Sequence, residues 1–256
     1  PDPLAQTGAT TNLAAGPTGG DYKVDEAYLE LNLPLLADLP GAKELSFNAA
    51  TRYSKYDTFG NTLNSKFGFK WKPVDSVLVR GTYAEGFRAP TINDLYGGGS
   101  QTFSFFTDPC DTLFGASAGN AAVRARCAQD IANADTYRQL AQGFVPAGSP
   151  NSQTPVAFFN GSNPDLLPES SESKTLGVVW SPGFASGLNV SLDWWNIRIQ
   201  DTIVADTPTQ MLNDCHIQND AARCAAFTRD PALGFVNNLT FNGINAGYRE
   251  TEGYDL

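Results

Sequence analysis

The chain has one histidine and one methionine in 256 residues, and its four cysteines never fall as C-x-x-C. With His216 alone, a Ser-His-Asp triad or a histidine-based zinc site has little to build on, and no catalytic constellation is present. No Lys-Ser or Lys-Thr follows Gly97-Gly98-Gly99, so that run is not a phosphate loop and reads as a flexible one. Asp108 and Asp111 beside Cys110 lack the spacing of a calcium loop, and neither a metal nor a cofactor is expected. Positive charge is also scarce: 17 Lys and Arg stand against 27 Asp and Glu, a net charge of −10. No basic field exists to meet the phosphates of a nucleic acid. An apolar run of about 18 residues is missing too, which excludes a membrane-spanning helix but not strands that cross by alternation.

What is present points to β structure: 24 Gly, 16 Pro and 11% aromatic residues, the composition of a turn-rich all-β chain. Ala27, Leu29, Leu31 and Leu33 alternate with Glu26, Tyr28, Glu30 and Asn32, in a strand expected to end at Pro34 and the Pro40-Gly41 pair. Leu45, Phe47, Ala49, Thr51 and Tyr53 oppose Ser46, Asn48, Ala50, Arg52 and Ser54. Leu63, Ser65, Phe67, Phe69 and Trp71 oppose Asn64, Lys66, Gly68, Lys70 and Lys72, with a turn from Pro73 to Ser76. The next strand carries Val77 and Val79 and runs into GTYAEGFRAPTINDLY, where Gly86 and Pro90 break the alternation. It resumes with Leu176, Val178 and Trp180, and again with Leu188, Val190, Leu192 and Trp194. Trp195, Ile197 and Ile199 then continue in the opposite phase, which predicts a β-bulge at the tryptophan pair that keeps Asn196 and Arg198 off the apolar face.

The organisation expected is a loop over 1–20, four strands over 21–85, a long loop over 86–168, two strands over 169–204, a second loop over 205–240 and a last strand over 241–256. A loop as long as 86–168 should contain structure. Asn120 is placed to cap a helix bearing Val123, Cys127 and Ile131, with Gly143 beyond its end. Thr207 and Pro208 begin a second, and a further turn starts near Ala221. Cys110 and Cys127 form one close pair in sequence and Cys215 and Cys224 another; short loops favour these disulfides over crossed ones, in an oxidising compartment. Phe103, Phe105, Phe106, Phe114, Phe144, Phe158 and Phe159 either build the long loop's own core or meet a ligand.

Five segments in order, DYKVDEAYLELNLPLL, LSFNAATRYSKYDTFG, GFRAPTINDLY, NPDLLPESSESKTLGVVW and LNVSLDWWNIRIQDTI, closely resemble barrel strands of TonB-dependent outer-membrane transporters. The motif positions are Gly86, Phe87, Arg88, Ala89 and Pro90, then Asn163, Pro164, Pro168 and Glu169. The resemblance implies an antiparallel transmembrane β-barrel segment, about seven strands of a 22-stranded barrel, in the outer membrane of a Gram-negative bacterium. It implies as partners a plug domain of the same protein, the TonB energy-coupling protein, outer-membrane lipid and a small-molecule cargo: an iron chelate, cobalamin or an oligosaccharide. No plug, coupling box or signal peptide is seen, so the sequence reads as a piece. Trp71 and Trp180 would stand in an aromatic girdle. Arg52, Lys66, Lys70, Arg80 and Arg198, with Glu26, Glu30 and Asp193, would face the lumen. The 86–168 loop is the candidate cargo-binding region, anchored by Arg88 and Glu169. The competing reading is a soluble or surface β-domain that binds a partner or glycan through the same loops.

Overall fold

The computed structural model describes residues 2–256; Pro1, the first residue of the expected 1–20 loop, lies outside them. The chain forms two compact units that interleave in sequence. A sheet unit takes Asp21–Thr91, Pro164–Val204 and Asn245–Leu256, and a loop unit takes Pro1–Gly20, Ile92–Asn163 and Ala205–Ile244.

The sheet unit is built from β1 (Val24–Leu39), β2 (Ala42–Tyr56), β3 (Gly60–Val74), β4 (Val77–Arg88), β5 (Glu169–Trp180), β6 (Val190–Ala205) and the second half of β7 (Val236–Asp255). They are hydrogen-bonded in chain order, the first six antiparallel. Because side chains alternate across a strand, register decides which of them share a face. One row reads Leu36, Leu45, Trp71, Val79, Val178, Leu192, and the next reads Leu33, Phe47, Phe69, Gly81, Leu176, Trp194. These rows form a continuous apolar face, and it is exposed: Leu33, Trp71, Val178 and Leu192 keep 40–50% of their surface. Gly81 belongs in the second row because a Cβ there would collide with the Phe69 ring. Trp71 donates its indole N–H to the Gly41 carbonyl in the β1–β2 turn, and Trp180 meets Phe184 edge-on just beyond the end of β5. Both tryptophans thus stand at the short-turn margin of the apolar face.

The apolar face does not follow the rows to the far ends of the strands. Leu31, Ala49 and Phe67 share a row with Tyr83, Lys174 and Asn196. In β1 to β3 the row is still apolar, whereas from β4 to β6 it has become polar. The apolar band therefore runs obliquely to the hydrogen-bonding direction, as it must when strands cross an apolar layer at a tilt. This corrects the expected bulge. β6 pairs with β5 without a register shift from Val190 through Gln200, so Asn196 and Arg198 lie on the same face as Leu192 and Trp194. They are accommodated because they lie past the apolar band, where Arg198 meets Glu250. Arg198 is accordingly not on the face shared by Arg52, Lys66, Lys70 and Arg80.

Four boundaries also move. Pro34 does not end β1 but lies inside it, beside a register shift at Leu36, and β1 has a partner on one side only among the described residues, so the missing N–H disturbs no ladder there. Pro73 likewise falls in β3 at a register shift between Trp71 and Val74, leaving a tighter turn at Asp75 and Ser76. Gly86 does not stop β4, which runs on to Arg88, and β7 begins at Val236 rather than 241.

The loop unit has its own pairing. Residues Phe158–Gly161 lie parallel to the first half of β7 and antiparallel to Ser100–Thr102, Phe227–Arg229 pairs antiparallel with the start of β7, and Phe105–Phe106 pairs with Ser152–Gln153. Residues of the 1–20 segment join through Gly16 N–H to the Gly99 carbonyl and Gln101 N–H to the Ala14 carbonyl. The triglycine run is thus a packing surface rather than a flexible loop. A Cβ on Gly98 would land on the Gly16 carbonyl and lie 2.6 Å from that of Pro17, and one on Gly97 would strike the Asn93 carbonyl. Gly98→Ala is expected to destabilise the loop unit by about 1–3 kcal/mol through overpacking against backbone that cannot yield. Limited proteolysis should then cut the 1–20 segment faster, and an unchanged digestion rate would count against this packing.

Candidate functional site

The long loop leaves the sheet at a fixed gate. Pairing of β4 with β5 runs from Val77 opposite Trp180 to Arg88 opposite Glu169. At that last rung Arg88 binds Glu169 with both arms of its guanidinium, at 2.6 and 2.8 Å, and Glu169 also accepts the Ile203 N–H of β6 at 2.7 Å. A bidentate pair of this kind fixes orientation as well as distance. The neighbouring motif residues support the gate. Gly86 lies opposite Ser171, where a Cβ would come within 2.9 Å of the Ser171 hydroxyl. Phe87 meets the Tyr56 ring edge-on at 6.0 Å, and Pro90 is buried two residues past the strand. Ala89 joins them. Of the second motif, Pro168 precedes β5 directly, where a missing N–H is harmless. Pro164 is exposed. Asn163 works elsewhere: in the loop unit its side-chain amide donates to the Gly243 carbonyl and its N–H to the Asp94 carbonyl.

Inside the loop unit, α1 (Ala121–Asp130) begins as its sequence dictates, with the Asn120 side chain accepting the N–H groups of Ala122 and Val123. It ends at Ile131, so Gly143 is not its terminator. Helix α2 (Pro208–His216) is capped by Thr207 with proline in its first turn. Cys110 is bonded to Cys127 on α1, and Cys215 on α2 to Cys224. Phe106 and Phe158 from the first loop pack with Met211, Leu212, Phe227 and Leu239 from the second, in one buried cluster. The two loops, separate in sequence, therefore share a core. The seven loop phenylalanines divide: Phe106 and Phe158 are core, Phe114 lies under the Arg138 guanidinium, and Phe105 and Phe144 are mostly exposed.

A second feature ties the loops together. Arg229 reaches Asp108, 121 positions away, with Nη1 at 2.6 Å and Nη2 at 3.0 Å, and both side chains are almost fully buried. The Tyr137 hydroxyl and the Cys110 N–H also donate to Asp108, and the guanidinium lies over the rings of Tyr137 and Phe227. Burial alone would raise the Asp108 carboxyl, but the Arg229 charge overrides it and holds the group below the usual carboxylate range. Burial followed by Asp108 pushes the Tyr137 hydroxyl well up. His216 Nε2 lies 3.2 Å from Arg229 Nη2, and burial together with that cation lowers its pKa despite Asp108 and Asp130, with Arg126 adding to the lowering. Asp111 accepts from Arg138 and from the N–H groups of Leu113, Phe114 and Gln139. The oxygens of Asp108 and Asp111 are thus occupied by protein donors. Cys110 and Cys127 approach His216, but disulfide sulfurs offer no thiolate to a metal.

The third feature is a cleft of about 300 Å³ walled by Asn93, Ser100, Asn160, Asp206, Phe241 and Asn242. Asn93, Ser100 and Asn160 fall within the 86–168 loop singled out in the sequence, whereas Asp206, Phe241 and Asn242 lie outside it. Asp206 is the cleft's ionisable side chain, and it is bound to Arg223 at 2.6 Å.

Two outcomes follow for stability. Arg229→Met leaves a buried carboxylate unpaired and is expected to cost about 3–5 kcal/mol, while Asp108→Leu combined with Arg229→Met recovers part of that loss. Thermal melts of both variants check this, and equal melting temperatures for wild type and Arg229→Met would refute it. The lowered His216 pKa means that the unfolded chain binds the extra proton first, so stability is lost as pH falls through the ordinary imidazole value of about 6.5. Asp108 has the same sign at lower pH, its contribution being present above the unfolded carboxylate value and lost below it. Replacing His216 by Gln should flatten the upper of these two steps in melts taken across pH.

No curated protein matches the chain by sequence. Among solved structures, a variant of the ferric enterobactin receptor PfeA of Pseudomonas aeruginosa, in complex with enterobactin, has a TM-score of 0.55 at 15% identity, covering 91% of this chain and 24% of that one. The siderophore receptor PirA of Acinetobacter baumannii has a TM-score of 0.54 at 16% identity, covering 92% and 26%. At these identities the likeness is one of fold, and this chain spans about a quarter of the length of either structure. The family model for the TonB dependent receptor-like β-barrel matches residues 2–256. The long antiparallel strands, the oblique apolar band and that match agree: this all-β chain is a partial barrel that belongs to the TonB dependent receptor-like β-barrel family.

Proposed function

We propose that the chain is the barrel segment of an outer-membrane active-transport receptor, which takes a scarce nutrient from outside the cell and imports it with TonB-coupled energy. The observation that carries this is the exposed apolar band across six paired strands. A water-soluble sheet would hide such a face against a second layer, whereas lipid covers it without one. The charged opposite face, where Arg80 holds Asp193 across the bare Gly177, supplies a lumen wall and a seat for the plug domain of the same protein. Long connections carry the loop unit, which on this reading faces the exterior with its disulfides in an oxidising environment. Cargo belongs to the class of small molecules that includes iron chelates, cobalamin and oligosaccharides. The neighbouring enterobactin and siderophore receptors support the receptor reading without fixing the cargo of this one.

Seven strands fall short of the roughly eight of the smallest closed membrane barrel, so the segment alone leaves strand edges and an apolar face unsatisfied. Expressed by itself in detergent-free buffer it should aggregate. A monodisperse, cooperatively melting monomer under those conditions would favour a soluble β-domain instead. For the full-length receptor, cargo uptake should stop when TonB is deleted while binding to whole cells persists, and uptake that survives the deletion would refute the energy coupling.

A further inference from the structure

The two disulfides of the loop unit converge on the chain's one histidine. Cys110, Cys127 and His216 bring their donor atoms within 4.8 Å of one another, and so, separately, do Asp130, Cys215 and His216. The two sets differ in charge and access. In the first, both cysteines are sealed and Arg229 Nη2 lies against the Cys110 sulfur as well as His216 Nε2, so a cation is already among the donor atoms. The second borders a cavity of about 250 Å³ whose walls include Arg126, Asp130, Cys215, His216 and Cys224. Asp130, the last residue of α1, is 43% exposed there, with Oδ2 at 3.7 Å from His216 Nε2. Cys224 is half-buried, so the Cys215–Cys224 bond can be reached from the cavity.

As a disulfide this pair offers no thiolate. As a dithiol it adds two sulfurs to one imidazole nitrogen and one carboxylate oxygen, a four-donor set that suits zinc among the common divalent ions. Structural zinc sites are closed, so the burial of Cys215 and His216 is no bar. The backbone on both sides is held without the covalent bond. Thr207 caps α2, and Asp220 caps the helical turn Ala221–Cys224. Arg223 ties that turn to Asp214 of α2 and to Asp206. Two thiolates and Asp130 exceed the charge of a divalent ion by one, and Arg126 in the cavity wall offsets the excess. Arg229 can only donate, which makes His216 Nε2 an acceptor with a lone pair to give. When an ion takes that lone pair, Arg229 Nη2 keeps its bond to Asp108 Oδ1.

We propose that the reduced loop unit holds a zinc-class divalent ion at Cys215, Cys224, His216 and Asp130, in place of the Cys215–Cys224 disulfide. The chain is made with thiols, and a low-molecular-weight dithiol returns it to them. One thiolate of the reagent attacks the Cys224 sulfur, the sulfur–sulfur bond breaks, and Cys215 leaves as a thiolate and takes a proton. The reagent's second thiol closes on the first, expels Cys224 and leaves a cyclic disulfide. Two electrons and two protons thus pass to the cysteine pair, and the ion displaces those protons when it binds.

The test uses the full-length receptor in detergent, reduced with dithiothreitol and freed of it by gel filtration under nitrogen. Zinc titrated against a chromophoric chelator should bind at about 50 nM or tighter, and only after reduction. Cobalt(II) in its place should show thiolate-to-metal charge-transfer absorption, and zinc should protect Cys215 and Cys224 from alkylation in peptide mass mapping. Asp130→Asn should weaken zinc at least roughly tenfold, the loss usual even for a residue that only supports a ligand, and His216→Ala at least as much. Asp130 is exposed, so its variant keeps the test valid where His216→Ala fails to fold. No gain in zinc binding on reduction overturns the proposal, as does alkylation of Cys215 and Cys224 at the same rate with and without zinc. Zinc affinity that Asp130→Asn leaves unchanged also overturns it, marking binding by loose thiols alone.

Discussion

The β4–β5 ladder is the constraint on which the rest depends. Strands separated by 81 positions at their last rung are hydrogen-bonded along their whole length, so the chain between them must leave and return at neighbouring points. Closing so long a loop is entropically unfavourable, though the cost grows only slowly with length. What offsets it is the structure inside the loop: a disulfide to α1, a cap at Asn120, and a core shared with the connection between β6 and β7. The Arg88–Glu169 pair then acts where the ladder ends, and through the Ile203 N–H it fastens a third strand at the same level. Framework and loop are separate units, yet the ladder sets the terms on which the loop can fold.

Within the loop unit, the buried Asp108–Arg229 pair serves specificity more than net stability. Removing two charges from water costs about what their attraction returns, unless every remaining donor and acceptor is satisfied. Here Asp108 is fully engaged, by Arg229, Tyr137 and the Cys110 N–H, while Arg229 keeps only Nε without a partner. An alternative packing of the two loops would strand a carboxylate or a guanidinium in the interior. The pair thus selects one arrangement out of many that the hydrophobic cluster alone would tolerate.

How much of this was legible in the sequence depended on how local the governing physics was. Strand order and face assignment followed from alternation, because an apolar band written on every other residue is a local signal; Phe47, Phe69 and Leu176 share a row as their phases implied. Helix starts at Asn120 and Thr207 were legible because a cap acts within three residues. The phase change at Trp194 and Trp195 misled, since it was judged as though all of β6 lay in apolar surroundings, when the strand outruns the oblique band. Proline and glycine misled for a related reason: Pro34, Pro73 and Gly86 break ladders in general, but each sits where register slips or a close approach makes it acceptable. The cleft and the Asp108–Arg229 pair were invisible, because no spacing rule links residues 121 positions apart.

Charge also divides between the units in a way that the net value of −10 conceals. All lysines and glutamates fall in the sheet unit, while the loop unit uses aspartate and arginine alone. Aspartate is short enough to accept the N–H groups two or three residues ahead, and it does so at Asp2, Asp108, Asp111, Asp220 and Asp230. Arginine is long and forked enough to gather carbonyls or carboxylates from distant segments. The acidity of the loops is therefore largely turn chemistry rather than a field arranged to attract or repel a partner. The charges of this unit are thus spent chiefly on its own turns and on tying its distant segments together.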